Sequence, residues 1–242
     1  MSEKFWENIS GNNVMTYEGA MQKIGILLGF TVISALFTSA FSLEALHNNN
    51  IELVYLLSIG GAITGFILAM IIYISRPKNP APLMITYAII EGVFIGAMSS
   101  VMEYFYQGIV IQAILGTLAI FISMYFLYVS KVLRPTPTFN KIVISLTMSI
   151  MLLYVISMVI SLATPYQMPL LHSSSPMGIG LTVFILIVAA LNLIMDFGFI
   201  ERSVQNQTPK VGEWWGAFGM LVTLIWIYIE VLRLLMKLRS RN

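Results

Sequence analysis

Residues Met177 to Ile200, MGIGLTVFILIVAALNLIMDFGFI, form 24 consecutive positions with a single ionisable side chain, Asp196. At about 1.5 Å per residue a helix of this length exceeds the roughly 30 Å hydrocarbon core of a bilayer. The run shows no period-two alternation, which excludes a strand of a transmembrane barrel. Backbone groups in lipid must be satisfied within their own segment, so the run reads as a membrane-spanning helix. Six further runs of the same kind lie at about 24–42, 52–74, 82–102, 108–130, 142–163 and 215–236. Turn-forming residues punctuate the gaps, as in Arg76-Pro77-Lys78-Asn79-Pro80-Ala81-Pro82, Arg134-Pro135-Thr136-Pro137 and Ser173-Ser174-Ser175-Pro176. The expected fold class is all-α, a polytopic membrane protein with seven transmembrane helices.

The composition demands the same answer. Of 242 residues, 58% are hydrophobic and 10% charged, against roughly 25% charged in a soluble domain. The mean hydropathy is +0.86. Seven spans of about 20 residues use nearly all the apolar residues and leave no aqueous domain. The chain has no Cys, which excludes disulfides, zinc-thiolate sites and cysteine nucleophiles. A formal charge of +2 without a basic cluster argues against a nucleic-acid partner. Residues 1–22 are polar and of mixed charge, lack the apolar core of a signal peptide, and are expected to form a cytoplasmic N-terminal segment ahead of one membrane domain, 23–242.

Lys and Arg near the spans are retained on the cytoplasmic side, and here they alternate. Lys4 and Lys23 precede the first span, Arg76 and Lys78 join spans two and three, Lys131, Arg134 and Lys141 join four and five, and Arg202 and Lys210 join six and seven. The connectors between these have no basic residue, so the N-terminus is expected in the cytoplasm. Arg233, Lys237, Arg239 and Arg241 break the pattern: the last helix either spans against the rule or re-enters.

An ionisable side chain near the bilayer centre costs roughly 2.5–3.5 kcal/mol on insertion scales and therefore needs a reason. Glu91 lies near the middle of the third run, Asp196 near the cytoplasmic end of the sixth, and Glu230 towards the outer end of the seventh. Carboxylates at three depths suit a proton or cation path. Each also has a structural reading. Glu230 can pair with Arg233 at i,i+3, Asp196 can answer Arg202 or Lys210 at the interface, and Asn192, one turn from Asp196, is either its hydrogen-bond partner or a helix–helix contact. Glu91 has no basic residue within four positions, and Gly92 beside it is expected to leave room around the carboxyl. The pairs Gly25/Gly29, Gly61/Gly65, Gly92/Gly96 and Gly212/Gly216 suit close helix packing, and Trp214 and Trp215 an interfacial anchor. His47 and His172 are expected in outer loops, no Lys or His falls within a run, and no hydrolase, phosphate-binding or dinucleotide motif occurs, so the protein is not expected to be an enzyme.

The second half of the chain resembles the Bax inhibitor-1 family of transmembrane Bax inhibitor motif proteins, particularly its bacterial branch. The resemblance is carried by Asn79-Pro80-Ala81-Pro82-Leu83 leading to Glu91-Gly92-Val93-Phe94-Ile95-Gly96, by Leu191 to Glu201, and by Pro209-Lys210-Val211-Gly212-Glu213-Trp214-Trp215. It implies a bundle with the last helix central, in a bacterial inner membrane, and a pH-sensitive Ca²⁺ leak attributed to an aspartate pair on helices six and seven, with no bound cofactor. Asp196 matches the first member and would contact Ca²⁺. The second falls near Thr223 or Leu224, neither acidic, and the nearest carboxylate is Glu230; substitutes are Asp196 with Glu213 or Asp196 with Glu91. The expected function is a cation or calcium leak through the bilayer with Asp196, Glu91 and Glu230 along its path. The alternative is a non-conducting scaffold that modulates a membrane protease or stress-response partner.

Overall fold

The computed structural model describes residues 14–163, 171 and 173–241. They form seven α-helices: α1 (Tyr17–His47), α2 (Ile51–Ser75), α3 (Ala81–Phe105), α4 (Ile109–Val129), α5 (Pro137–Ala163), α6 (Pro176–Gln205) and α7 (Gly212–Arg239). Among the described residues the only β pairing is an isolated antiparallel bridge between Val14 and Pro209. Every helix is long and apolar enough to cross a membrane. Their outward faces carry large apolar side chains that would be untenable in water, such as Phe37 (76% exposed) and Ile74 (70%). The protein is thus a multi-pass helical membrane protein in contact with lipid.

Helix ends lie where local chemistry puts them, and several extend beyond the apolar runs. α1 begins at Tyr17, because Thr16 acts as N-cap and accepts the Gly19 N–H at 2.9 Å. It ends at His47, which is therefore the last residue of a helix and not of a loop; its ring bonds the Leu43 carbonyl and meets Tyr104 edge-on. His172 lies outside the described residues. Ser175 caps α6 by accepting the Gly178 N–H. α7 is one helix of 28 residues with none of the interruption that a re-entrant segment needs, and it reaches past Lys237. Half of its most apolar window is buried, against 11% for α1 and α2, which makes it the most enclosed of the seven.

The chain divides into two compact units, Met1–Gln107 with Phe199–Val222, and Gly108–Gly198 with Thr223–Asn242. In the first, α3 packs on α1 and α2. Gly92 and Gly96 let α1 approach so closely that a Cβ at either would overlap a backbone carbonyl, of Thr31 and Ala35 respectively. Ser34 Oγ donates to the Ile89 carbonyl at 2.8 Å and Ser100 Oγ contacts Ser39 Oγ at 3.1 Å, polar links that lipid cannot replace. The space beside Gly92 is accordingly filled by α1 and gives Glu91 no room, contrary to the expectation from the sequence. Among the described residues nothing lies within 4 Å of where a Cβ would stand at Gly25 or Gly29, so this pair makes no close helix contact there. Trp215 is 7% exposed and packs inside the unit, where the sequence suggested an interfacial anchor.

In the second unit, Ile150, Leu171, Ile185 and Val188 form an apolar core joined by Leu146, Leu153 and Trp226. α6 and α7 run antiparallel in fixed register: Asp196 meets Thr223 and Thr182 meets Lys237, and each helix advances 14 residues between the two contacts.

Candidate functional site

Three polar residues of α7 in the second unit, Thr223, Glu230 and Lys237, follow a heptad interval, which keeps them on one helix face at steps of about 10 Å. Each meets a different partner. Thr223 Oγ1 donates to Asp196 Oδ2 at 2.6 Å, within the range of a charge-assisted bond. The position nearest to where the resemblance calls for a second aspartate is therefore a hydroxyl that faces the first. Within its unit the hydrogen bond of Asp196 is to α7.

The neighbours of Asp196 on α6 point elsewhere. Phe197 sits among the rings of Phe121, Tyr125 and Tyr128 of α4, at 5.4–5.7 Å between centroids. Gly198 is covered by Pro135 of the α4–α5 connector, whose ring tip occupies the place of a Cβ. Three successive residues thus grip α7, α4 and the connector, which gives the run Asp196-Phe197-Gly198 a physical reason. Asn192 is no partner of Asp196: its amide donates to Thr147 Oγ1 of α5 at 3.0 Å and to the Val188 carbonyl at 2.8 Å, a helix–helix contact.

Glu230, 1% exposed, takes Arg233 at 3.0 Å and Tyr154 Oη at 2.5 Å; Arg233 also donates to Tyr154 Oη at 2.6 Å and lies over its ring. The i,i+3 pairing read from the sequence is present, and Tyr154 of α5 completes a closed triad. One heptad on, Lys237 is 1% exposed and donates to the Gly178 carbonyl at 3.0 Å and to Thr182 Oγ1 at 2.9 Å. Arg233 and Lys237 are therefore committed inside the protein, so two of the four tail cations are not free flanking charges.

The first unit holds two more buried carboxyls. Glu213, fully buried in the first turn of α7, takes Lys23 at 3.1 Å together with the Thr16 N–H at 3.2 Å and hydroxyl at 3.3 Å. It fills the space over Gly19 and so caps the start of α1, where its charge suits the helix dipole. Met15 N–H donates to the Thr208 carbonyl at 2.7 Å, tying the same ends together through the backbone. Glu91, 7% exposed, bonds the hydroxyl of Tyr87 one turn earlier, and its Oε1 lies in a slot made by Gly65 of α2. Tyr87 in turn packs edge-on against Phe218 at 5.0 Å. Glu213 and Glu91 each engage partners within the first unit, and Asp196 one within the second.

Sequence reading missed Lys23, Lys237, Tyr154 and Tyr87, all inside helices. For Lys237 alone a signal was available, the heptad interval on α7 facing the 14-residue interval on α6. Among the described residues no group of three or more His, Cys, Asp or Glu is placed to hold a metal.

Seven long apolar helices, with buried carboxyls in each unit, define a multi-pass membrane protein with ionisable side chains in its interior. The chain belongs to the Bax inhibitor 1 like family, whose sequence profile matches residues 1–240. Searches among curated proteins and among solved structures return no match.

Proposed function

We propose that the protein conducts Ca²⁺, or protons, down a gradient across a bacterial inner membrane without enzymatic activity, with Asp196 as the gating carboxylate. The observation that carries this reading is the Asp196–Thr223 bond. It makes the contact between α6 and α7 depend on a titratable group, because a carboxylate accepts that bond and its protonated form has lost the charge that strengthens it. One oxygen of Asp196 is engaged by Thr223, and a carboxylate oxygen is the hard ligand that Ca²⁺ prefers. Glu91 supplies a second carboxyl step, whereas the carboxyl of Glu230 is occupied by Arg233 and Tyr154.

Purified protein in liposomes loaded with a calcium-sensitive dye should admit Ca²⁺ faster than empty liposomes, with a rate that changes with pH. Asp196→Asn keeps a side chain that fits beside Thr223 but removes the charge, and should flatten the pH profile. An unchanged profile moves the sensor away from Asp196, and equal entry with and without protein leaves the scaffold reading in its place.

The orientation rests on the alternation of basic connectors. Asn48 and Asn79 are exposed, and the chain has no Cys of its own. Single cysteines at the two positions should be labelled by an impermeant maleimide from opposite sides of the membrane, Asn79→Cys from the cytoplasm. Labelling from one side overturns the topology.

A further inference from the structure

The second unit carries seven basic residues, Lys131, Arg134, Lys141, Arg233, Lys237, Arg239 and Arg241, against two acidic ones. Both acids are engaged, Asp196 by Thr223 and Glu230 by Arg233. Lys131, Arg134 and Lys141 are exposed, lie within the connector and the first helical turns after it, and make no ion pair among the described residues. The stretch 131–141 contains no carboxylate. Beside these cations stands Val132, 68% exposed. The connector is not slack: Leu133 N–H donates to the Leu127 carbonyl at 3.1 Å, and the Thr136 hydroxyl caps α5 by accepting the Phe139 N–H at 3.2 Å. Its Pro135 sits on Gly198, two residues from Asp196.

Three exposed cations and an exposed valine on the connector where two spanning helices end match the boundary between phosphate headgroups and acyl chains. We propose that the α4–α5 connector is a binding site for anionic phospholipid, and that a bound headgroup braces the end of α6 through the Pro135–Gly198 contact. Phosphate oxygens take Lys131, Arg134 and Lys141, and Val132 enters the acyl region. Because Gly198 offers no side chain, displacement of Pro135 is felt directly by the α6 backbone that holds Asp196. The site requires no conduction and stands apart from the leak reading.

The full-length protein in detergent, titrated with phosphatidylglycerol and followed by native mass spectrometry, tests the site. Each surface cation contributes about fivefold to the attraction of an anionic lipid, so Lys131→Gln/Arg134→Gln/Lys141→Gln should weaken binding by about a hundredfold. Lys131→Arg/Arg134→Lys/Lys141→Arg should retain it. Wild-type affinity in the Gln variant overturns the site, and displacement of the lipid by inorganic phosphate at equal concentration assigns it to a soluble anion instead. The brace is read separately by hydrogen exchange over residues 194–200. Phosphatidylglycerol should slow exchange there in the wild type but not in Pro135→Ala, which keeps the three cations and so still binds the lipid. Equal slowing in both proteins overturns the brace.

Discussion

Replacing Arg233 by Met is expected to cost about 3–5 kcal/mol, because it leaves the Glu230 carboxylate buried with no countercharge. Glu230 is 1% exposed and Arg233 is its one ion-pair partner among the described residues. Tyr154 remains as a donor, so the loss should fall towards the lower end of that range. In detergent the midpoint of thermal unfolding should drop by roughly 10 °C. A triad of this kind need not be stabilising overall, since desolvating both ions opposes their attraction. Removing all three polar groups at once, as Tyr154→Phe/Glu230→Leu/Arg233→Met, should therefore recover most of the lost stability. This comparison separates an ion pair that is costly to break from one that is indispensable. It also settles the part played by Glu230: a triple variant that conducts like the wild type confirms that its carboxyl is structural, and a non-conducting one would return it to the ion path.

The number and approximate position of the helices were legible because hydropathy is a property of each segment alone. A run such as Met177 to Ile200 announces a span whatever surrounds it. Partners were legible only when they lay on the same helix. Glu230 with Arg233 is visible at i,i+3, whereas Tyr154 is 76 residues away and Lys23 is 190 residues from Glu213, so neither leaves a local trace. Helix ends were misjudged for a related reason. Lys237 counts as polar in a hydropathy window and terminates the apolar run, yet in the fold its ammonium is enclosed by Gly178 and Thr182 of α6. Gly92 shows the same limit: adjacency to Glu91 in sequence suggested space for the carboxyl, but successive helical residues point about 100° apart, and the slot is made by Gly65 of another helix.

Glu91→Gln is expected to leave the protein folded and to lower cation flux by at least about tenfold, the effect of removing one charge-bearing step from a path that needs it. The amide has the size of the carboxyl, fits the slot at Gly65 and can still bond the Tyr87 hydroxyl one turn away. Glu91→Leu is different. It removes the partner of the hydroxyl of Tyr87, a residue 4% exposed, which should cost about 1–3 kcal/mol in addition to any loss of flux. Gly65→Ala probes the same slot from the other side, because its Cβ would overlap Oε1 of Glu91 and force the carboxyl out of place. If Glu91 acts as an ion step, Gly65→Ala and Glu91→Gln should both impair flux while Gln alone leaves the unfolding midpoint unchanged. Normal flux in Glu91→Gln, with instability confined to Glu91→Leu, would make Glu91 a helix-packing residue and leave Asp196 as the only carboxyl assigned to conduction.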